Sequence, residues 1–230
     1  MGDPVKKYIL LTEKSWHDVL FEELQHSVPG EWILIRNKES FTETALSEIK
    51  PDTIFIAHWS YIIPANIFVN YECIVFHMTD LPYGRGGSPL QNLIVLGLSE
   101  TMISAIRVEE GLDTGDIYLK KRLSLAGKAS EIFERASGVI GEMIKAIVAD
   151  QLLPTPQQGE AVFFKRRKKD EGNISSLEEP VKVYDYIRML DCEGYPNAFI
   201  ETEHFRFEFS DATLSDNNES IQAHVRIIKK

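Results

Sequence analysis

Two clusters in the sequence combine residue types that can do chemistry. The first, His77-Met78-Thr79-Asp80-Leu81-Pro82-Tyr83-Gly84-Arg85-Gly86-Gly87-Ser88-Pro89, directly follows an apolar run. A histidine at the end of a strand can exchange protons near neutral pH. The glycines beside it let backbone N–H groups approach a ligand closely. Taken alone, such a loop is equally a glycine- and proline-rich turn around a satisfied histidine. Gly84-x-Gly86 is not a dinucleotide fingerprint, because it follows the wrong strand, lacks the third glycine and has no phosphate-binding lysine after it. The second cluster is Gly111-Leu112-Asp113-Thr114-Gly115-Asp116. Alone it reads as a hairpin turn. Asp-Thr-Gly also occurs in aspartic proteases, but that chemistry needs two carboxylates sharing a proton, and the chain has no second copy.

The elements that must position these clusters are legible in the apolar pattern. Tyr8–Leu11, Trp32–Ile35, Thr53–Ala57 and Cys73–Phe76 are short, near-continuous apolar runs separated by helix-sized segments. That pattern belongs to parallel strands covered on both faces. Ser15 to Asp18 has capping spacing for a helix carrying Val19, Leu20 and Leu24, and Ser40 to Glu43 for one that stops before Pro51. The His77 cluster therefore sits at the carboxyl edge of an α/β sheet, where such sheets place their ligand crevice. Met102–Val108 and Asp116–Leu125 read as longer strands joined by the Asp113 turn. A helix from about Ser130 to Gln151 carries a core stripe that includes Ile140, Met143, Ile144 and Ile147. Pro154 to Gly159 punctuates the chain. The expected organisation is a domain over residues 1–155 and a small α+β extension over 156–230, with one helix near Val181–Leu190 and strands near Ala198–Phe209 and Ile221–Ile228.

Read together, the clusters stand 36 residues apart in the order His77, Asp113, and they resemble the formyltransferases that use 10-formyltetrahydrofolate. The family signature Asn-x-His-x-Ser-Leu-Leu-Pro-x-x-Arg-Gly-x-x-Pro stands here as Val75 to Pro89, and its Leu-Asp-x-Gly turn as Leu112 to Gly115. Trp59-Ser60-Tyr61-Ile62-Ile63-Pro64 is similar to the loop after the family's third strand. The resemblance covers about residues 5–155. It implies a Rossmann-like domain with a twisted, mostly parallel sheet. His77 and Asp113 become the catalytic pair, with Asp113 orienting a histidine that accepts the amine proton or stabilises the developing oxyanion. Tyr61, Arg85, Gly86, Gly87, Ser88 and Leu112 become the 10-formyltetrahydrofolate site, with tetrahydrofolate as product. No metal is implied. One departure stands out: Val75 occupies the place of the family's asparagine and cannot donate a hydrogen bond to an oxyanion. Protonated His77, a backbone amide or His58 is left to do so.

Phe163 to Ile174, Val183 to Arg188 and Tyr195-Pro196-Asn197-Ala198-Phe199 resemble the segment after the catalytic domain in sugar N-formyltransferases, with Asn197 in place of a glycine. Charge chooses between acceptors. The chain has 25 basic and 35 acidic residues, net −10, and residues 160–230 hold 11 basic against 14 acidic side chains, net −3. A tRNA platform should be positive, and the run Lys165–Lys169 reads as a solvated turn. The expectation is therefore a nucleotide-linked amino sugar as acceptor and no nucleic acid. The loop most resembles the pseudaminic-acid-pathway enzymes, which implies a UDP-linked 4-amino-4,6-dideoxy-L-AltNAc. Thr79 and Asp80 are assigned to the acceptor, and Trp16 and Tyr195 either stack on it or pack as core. Methionyl-tRNA, another amine, or a non-catalytic folate-binding role are the alternatives. Two distant cysteines, no run of 18 apolar residues and no leader-like N-terminus place the protein in the cytoplasm, without a membrane and with a homodimer allowed.

Overall fold

The apolar runs are short and rich in β-branched and aromatic residues, too short for a buried helix, and pairing in a sheet satisfies their backbone while both faces are buried. In the computed structural model, which describes residues 4–230, these are β1 (Lys7–Leu11), β2 (Glu31–Ile35), β3 (Thr53–Ile56) and β4 (Glu72–His77). β6 (Glu100–Arg107) and β7 (Ile117–Ser124) complete a six-stranded sheet in the order β2-β1-β3-β4-β6-β7. β1 runs parallel to β2 and β3, and β3 parallel to β4, whereas β6 is antiparallel to β4. This is the mostly parallel, Rossmann-like sheet expected from the sequence, followed by a small C-terminal β element.

Residues of alternating parity fill opposite faces. Ile9, Leu11, Ile54, Ile56 and Cys73 join Leu46 of α2 (Glu43–Ile49) and Ile67 of α3 (Ala65–Phe68) in one buried cluster, with Val75 packed against it. Leu20 of α1 (Asp18–Ser27) meets Gly141 of α5 (Ala129–Asp150) so closely that a Cβ there would lie 2.8 Å from the Leu20 methyl. The helix expected from Ser15 begins as a 3-10 turn over Ser15–His17, and Thr42 rather than Ser40 caps α2 by accepting the Ala45 N–H at 3.2 Å.

The chain divides into two compact units that are discontinuous in sequence. The first takes the chain to Gly86, then Met102–Leu123 and Glu134–Phe163, and the second Gly87–Thr101, Ser124–Phe133 and Phe164–Lys230. A short ribbon of β5 (Tyr83–Gly86) and β8 (Val162–Phe164) was not foreseen, since its strands lie far apart in sequence and carry no period. Within the second unit α4 (Pro89–Val95) packs on α6 (Pro180–Arg188), and α6 on a three-stranded antiparallel sheet. The apolar stretch Ala198–Phe209 is not one strand. It reverses between β9 (Ala198–Glu201) and β10 (Phe205–Leu214), where the Thr202 N–H donates to the Phe205 carbonyl at 2.8 Å, and β11 (Ile221–Lys229) follows. Arg188 fastens α6 to the start of α5 by donating to the carbonyls of Leu125 and Gly127 at 2.6 and 2.9 Å. Among the described residues no helix is long and apolar enough to cross a membrane.

Candidate active site

His77 ends β4 and is 8% exposed. Its Nε2 lies 2.8 Å from the Gly84 carbonyl, so this nitrogen carries a proton, and Nδ1 lies 3.7 Å from Asp113 Oδ2. Two restraints bring Asp113 there from 36 residues away. Its backbone takes the left-handed region, φ 54°, which short polar side chains tolerate best. Its Oδ2 accepts the Gly86 N–H at 2.8 Å. Gly115 completes the turn by close approach, because a Cβ at that position would lie 1.8 Å from the Arg107 carbonyl. Only glycine fits there. The predicted pair is thus assembled, along with Gly86.

Arg85 is half-buried and bonds Gln157, whose Oε1 accepts its Nε and Nη2 at 3.2 and 2.7 Å, and the guanidinium lies over the Phe163 ring. Gln157 Nε2 in turn donates to the carbonyls of Asp113 and Gly115 at 2.9 and 2.8 Å. Sequence reasoning passed over Gln157, because it lies in the Pro154–Gly159 stretch that reads only as punctuation. Tyr61 is 45% exposed, set edge-on to Trp59 with the Lys38 ammonium over its ring, and Leu112 is 58% exposed. Gly87 and Ser88 fall in the second unit, where Ser88 Oγ accepts the Arg167 N–H at 3.0 Å.

The residues assigned to the acceptor have other engagements. Thr79 is fully buried, its hydroxyl donating to the Gly84 carbonyl at 3.3 Å and its carbonyl accepting from Ser104 at 2.7 Å. Asp80 pairs with Lys120 Nζ at 2.5 Å. Tyr195 stacks on Phe133 at 5.5 Å within the second unit, and burial, then the Cys192 thiol, push its hydroxyl up to about 12. Trp16 packs edge-on to His58 at 5.7 Å.

His58 belongs to a buried polar chain the sequence did not announce. His17 Nδ1 is 2.8 Å from Ser137 Oγ, His17 Nε2 is 2.8 Å from His58 Nδ1, and His58 Nε2 is 3.2 Å from Met78 Sδ. A thioether only accepts, so His58 Nε2 carries the proton directed at Met78. His17 Nε2–H then donates to His58 Nδ1, and the Ser137 hydroxyl to His17 Nδ1. Burial, reinforced by the Arg36 charge, lowers His17 to about 3, and burial holds His58 well below the usual histidine range. Both rings are neutral braces. Val75 lies in the apolar cluster, offering no donor.

This architecture matches known proteins along its length. The family described as formyl transferase matches residues 22–133, and the methionyl-tRNA formyltransferase C-terminal domain matches residues 169–228. A solved structure of methionyl-tRNA formyltransferase from Clostridium thermocellum is 46% identical, covers 98% of this chain and 100% of its own, and superimposes with a TM-score of 0.94. The chain belongs to the formyltransferase family. Among curated relatives, the methionyl-tRNA formyltransferase of Campylobacter curvus is 29% identical over 84% of this chain and 64% of its own length. The chain thus spans somewhat under two thirds of that relative.

These matches correct the expected acceptor. The formyltransferase of Anoxybacillus kamchatkensis solved with a UDP-linked 4-formamido sugar is 19% identical, covers 72% of this chain and 88% of its own, and has a TM-score of 0.56. At that distance the likeness reaches the fold alone. The nucleotide-sugar acceptor and the exclusion of nucleic acid are both overturned by the methionyl-tRNA formyltransferase matches. The physical error lies in summing charge over residues 160–230. Lys165, Arg166, Lys168 and Lys169 are exposed, and none has a carboxylate within ion-pair distance among the described residues.

The family's formyl donor is 10-formyltetrahydrofolate. The residues present fit it: Gly84 and Gly86 adopt positive φ and hold backbone close beside His77, and exposed Leu112 offers apolar surface next to Asp113.

Proposed function

We propose that the protein transfers the formyl group of 10-formyltetrahydrofolate to the amino group of methionyl-tRNA. The carrying observation is the pair of buried His77 and half-buried Asp113, held by a turn that only Gly115 permits, in a chain 46% identical end to end to a methionyl-tRNA formyltransferase.

The donor, when bound, supplies an activated formyl carbon. Moving the ring proton from Nε2 to Nδ1, where the Asp113 carboxylate 3.7 Å away favours it, leaves the Nε2 lone pair to face an incoming amine. The Nε2 bond to the Gly84 carbonyl gives way, and that carbonyl stays satisfied because the Thr79 hydroxyl also donates to it. His77 then takes the amine proton, and Asp113 stabilises the imidazolium, as the buried aspartate does in a serine-protease triad. With Val75 in the apolar cluster, the protonated ring is also the hydrogen-bond donor to the reacting oxygen. The exposed cations Lys165, Arg166, Lys168 and Lys169 supply phosphate contacts for the acceptor.

The test is direct. Purified protein, 10-formyltetrahydrofolate and charged initiator tRNA should give formyl-methionyl-tRNA and tetrahydrofolate in equal amounts. Absence of formylated tRNA, with the donor shown to bind, would overturn the proposal.

A further inference from the structure

We propose that Gln157 is a positioning residue of this site, its side-chain amide locking the Asp113 turn onto the Arg85–Gly86 segment. The inference rests on the formyl-transfer reading above and adds a residue to it. The Asp113 turn needs holding, since φ 54° is a region that residues with a Cβ adopt under restraint. One hold is direct, from Gly86 N–H to Asp113 Oδ2. The other runs through Gln157, whose amide bonds the Asp113 and Gly115 carbonyls on one side and the Arg85 guanidinium on the other. Together the two holds close a ring around the carboxylate that faces His77.

The chemistry of that position selects an amide. The turn presents two carbonyls and requires donors, while Arg85 presents N–H groups and requires an acceptor. Glutamate would keep Arg85 but set a carboxylate against two carbonyl oxygens. Lysine would satisfy the carbonyls and repel the guanidinium. Asparagine has both functions on a stem one carbon too short. Gln157 is half-buried, so its replacement leaves the core intact.

Gln157→Glu separates the two halves of the bridge. With Arg85 retained and the turn released, kcat for formyl transfer should fall about 10- to 100-fold, the loss expected for misplacement on the order of 1 Å. KM for 10-formyltetrahydrofolate should stay within about threefold, and a melting temperature within a few degrees of wild type separates this loss from general destabilisation. Gln157→Ala should lower kcat similarly and raise KM as Arg85 is freed. Amide hydrogen exchange at Gly86 gives a readout that needs no turnover, and it should speed up at least about tenfold in both variants. Unchanged Gly86 exchange, or a kcat for Gln157→Glu within twofold of wild type, overturns the assignment. If wild-type protein forms no formyl-methionyl-tRNA, the functional reading fails, and Gly86 exchange still decides whether Gln157 holds the turn.

Discussion

Asp113→Asn isolates the carboxylate charge from everything else Asp113 does. Asparagine accepts the left-handed region as readily as aspartate, and its amide oxygen can still take the Gly86 N–H. What disappears is a negative charge 3.7 Å from His77 Nδ1. Coulomb's law at that separation gives about 1 kcal/mol in bulk water and about 4.5 kcal/mol at an effective dielectric of about 20. With His77 and Asp113 side chains 9% and 13% exposed, the second figure is the closer bound. At about 1.4 kcal/mol per decade, a transition state in which His77 carries the amine proton loses up to roughly 2,000-fold. The expected fall in kcat is about 100- to 1,000-fold, because solvent and the asparagine dipole recover part of the energy. Rapid-quench single turnovers with saturating donor and methionyl-tRNA measure it, and the melting temperature should stay within a few degrees. A folded Asp113→Asn protein with kcat within threefold of wild type would refute the role given to the pair.

Other expectations are independent of that one. Gly115→Ala forces a Cβ to within 1.8 Å of a backbone carbonyl, so urea unfolding should show a loss of about 3 kcal/mol or more. His17 and His58 set the acid limit of stability. Their folded values lie below the unfolded value of about 6.5, so the unfolded chain binds protons that the native state refuses. The stability they provide is complete above about pH 6.5 and falls as pH drops toward 3. From a folded value of about 3, His17 alone should remove about 2 kcal/mol between pH 7.5 and pH 5. Chemical denaturation at the two pH values measures this, and His17→Gln should flatten the dependence. Replacing Lys165, Arg166, Lys168 and Lys169 by glutamine should raise KM for methionyl-tRNA at least about tenfold and reduce its salt dependence, leaving donor KM unchanged. Equal tRNA KM in wild type and the quadruple variant would remove this segment from the acceptor site.

The central sheet was legible because a parallel strand buried on both faces has to be apolar at nearly every position. Tyr8–Leu11 and Thr53–Ile56 announce themselves without help from the rest of the chain. β5 and β8 carry no such mark. Tyr83-Gly84-Arg85-Gly86 is a strand only because Val162–Phe164 lies beside it, a pairing no local pattern encodes. A boundary placed at Pro154–Gly159 is continuous by construction, whereas the compact units each collect three segments, since Gly87–Thr101 and Ser124–Phe133 pack with residues far along the chain.

The site was legible in the same uneven way. His77 and Asp113 stand in motifs whose glycines and spacing mark them, but Gln157 acts through the two ends of an amide, which no spacing reports. The acceptor is hidden from composition for a related reason: a sum over a segment does not report where its charges sit. At physiological ionic strength charges beyond roughly 8 Å are largely screened, so a phosphate beside Lys165–Lys169 responds to the charges next to it rather than to a total over residues 160–230 that also counts Glu201, Glu208 and Asp211. The latter are in any case occupied, Glu201 and Glu208 by Arg206 and Asp211 by Lys128. Subtracting paired carboxylates from unpaired cations cancels charges that no ligand experiences together. For an acidic protein proposed to handle a polyanion, the useful quantity is the set of cations without carboxylate partners, and here, among the described residues, Lys165, Arg166, Lys168 and Lys169 stand exposed on either side of Arg167, which pairs with Glu171.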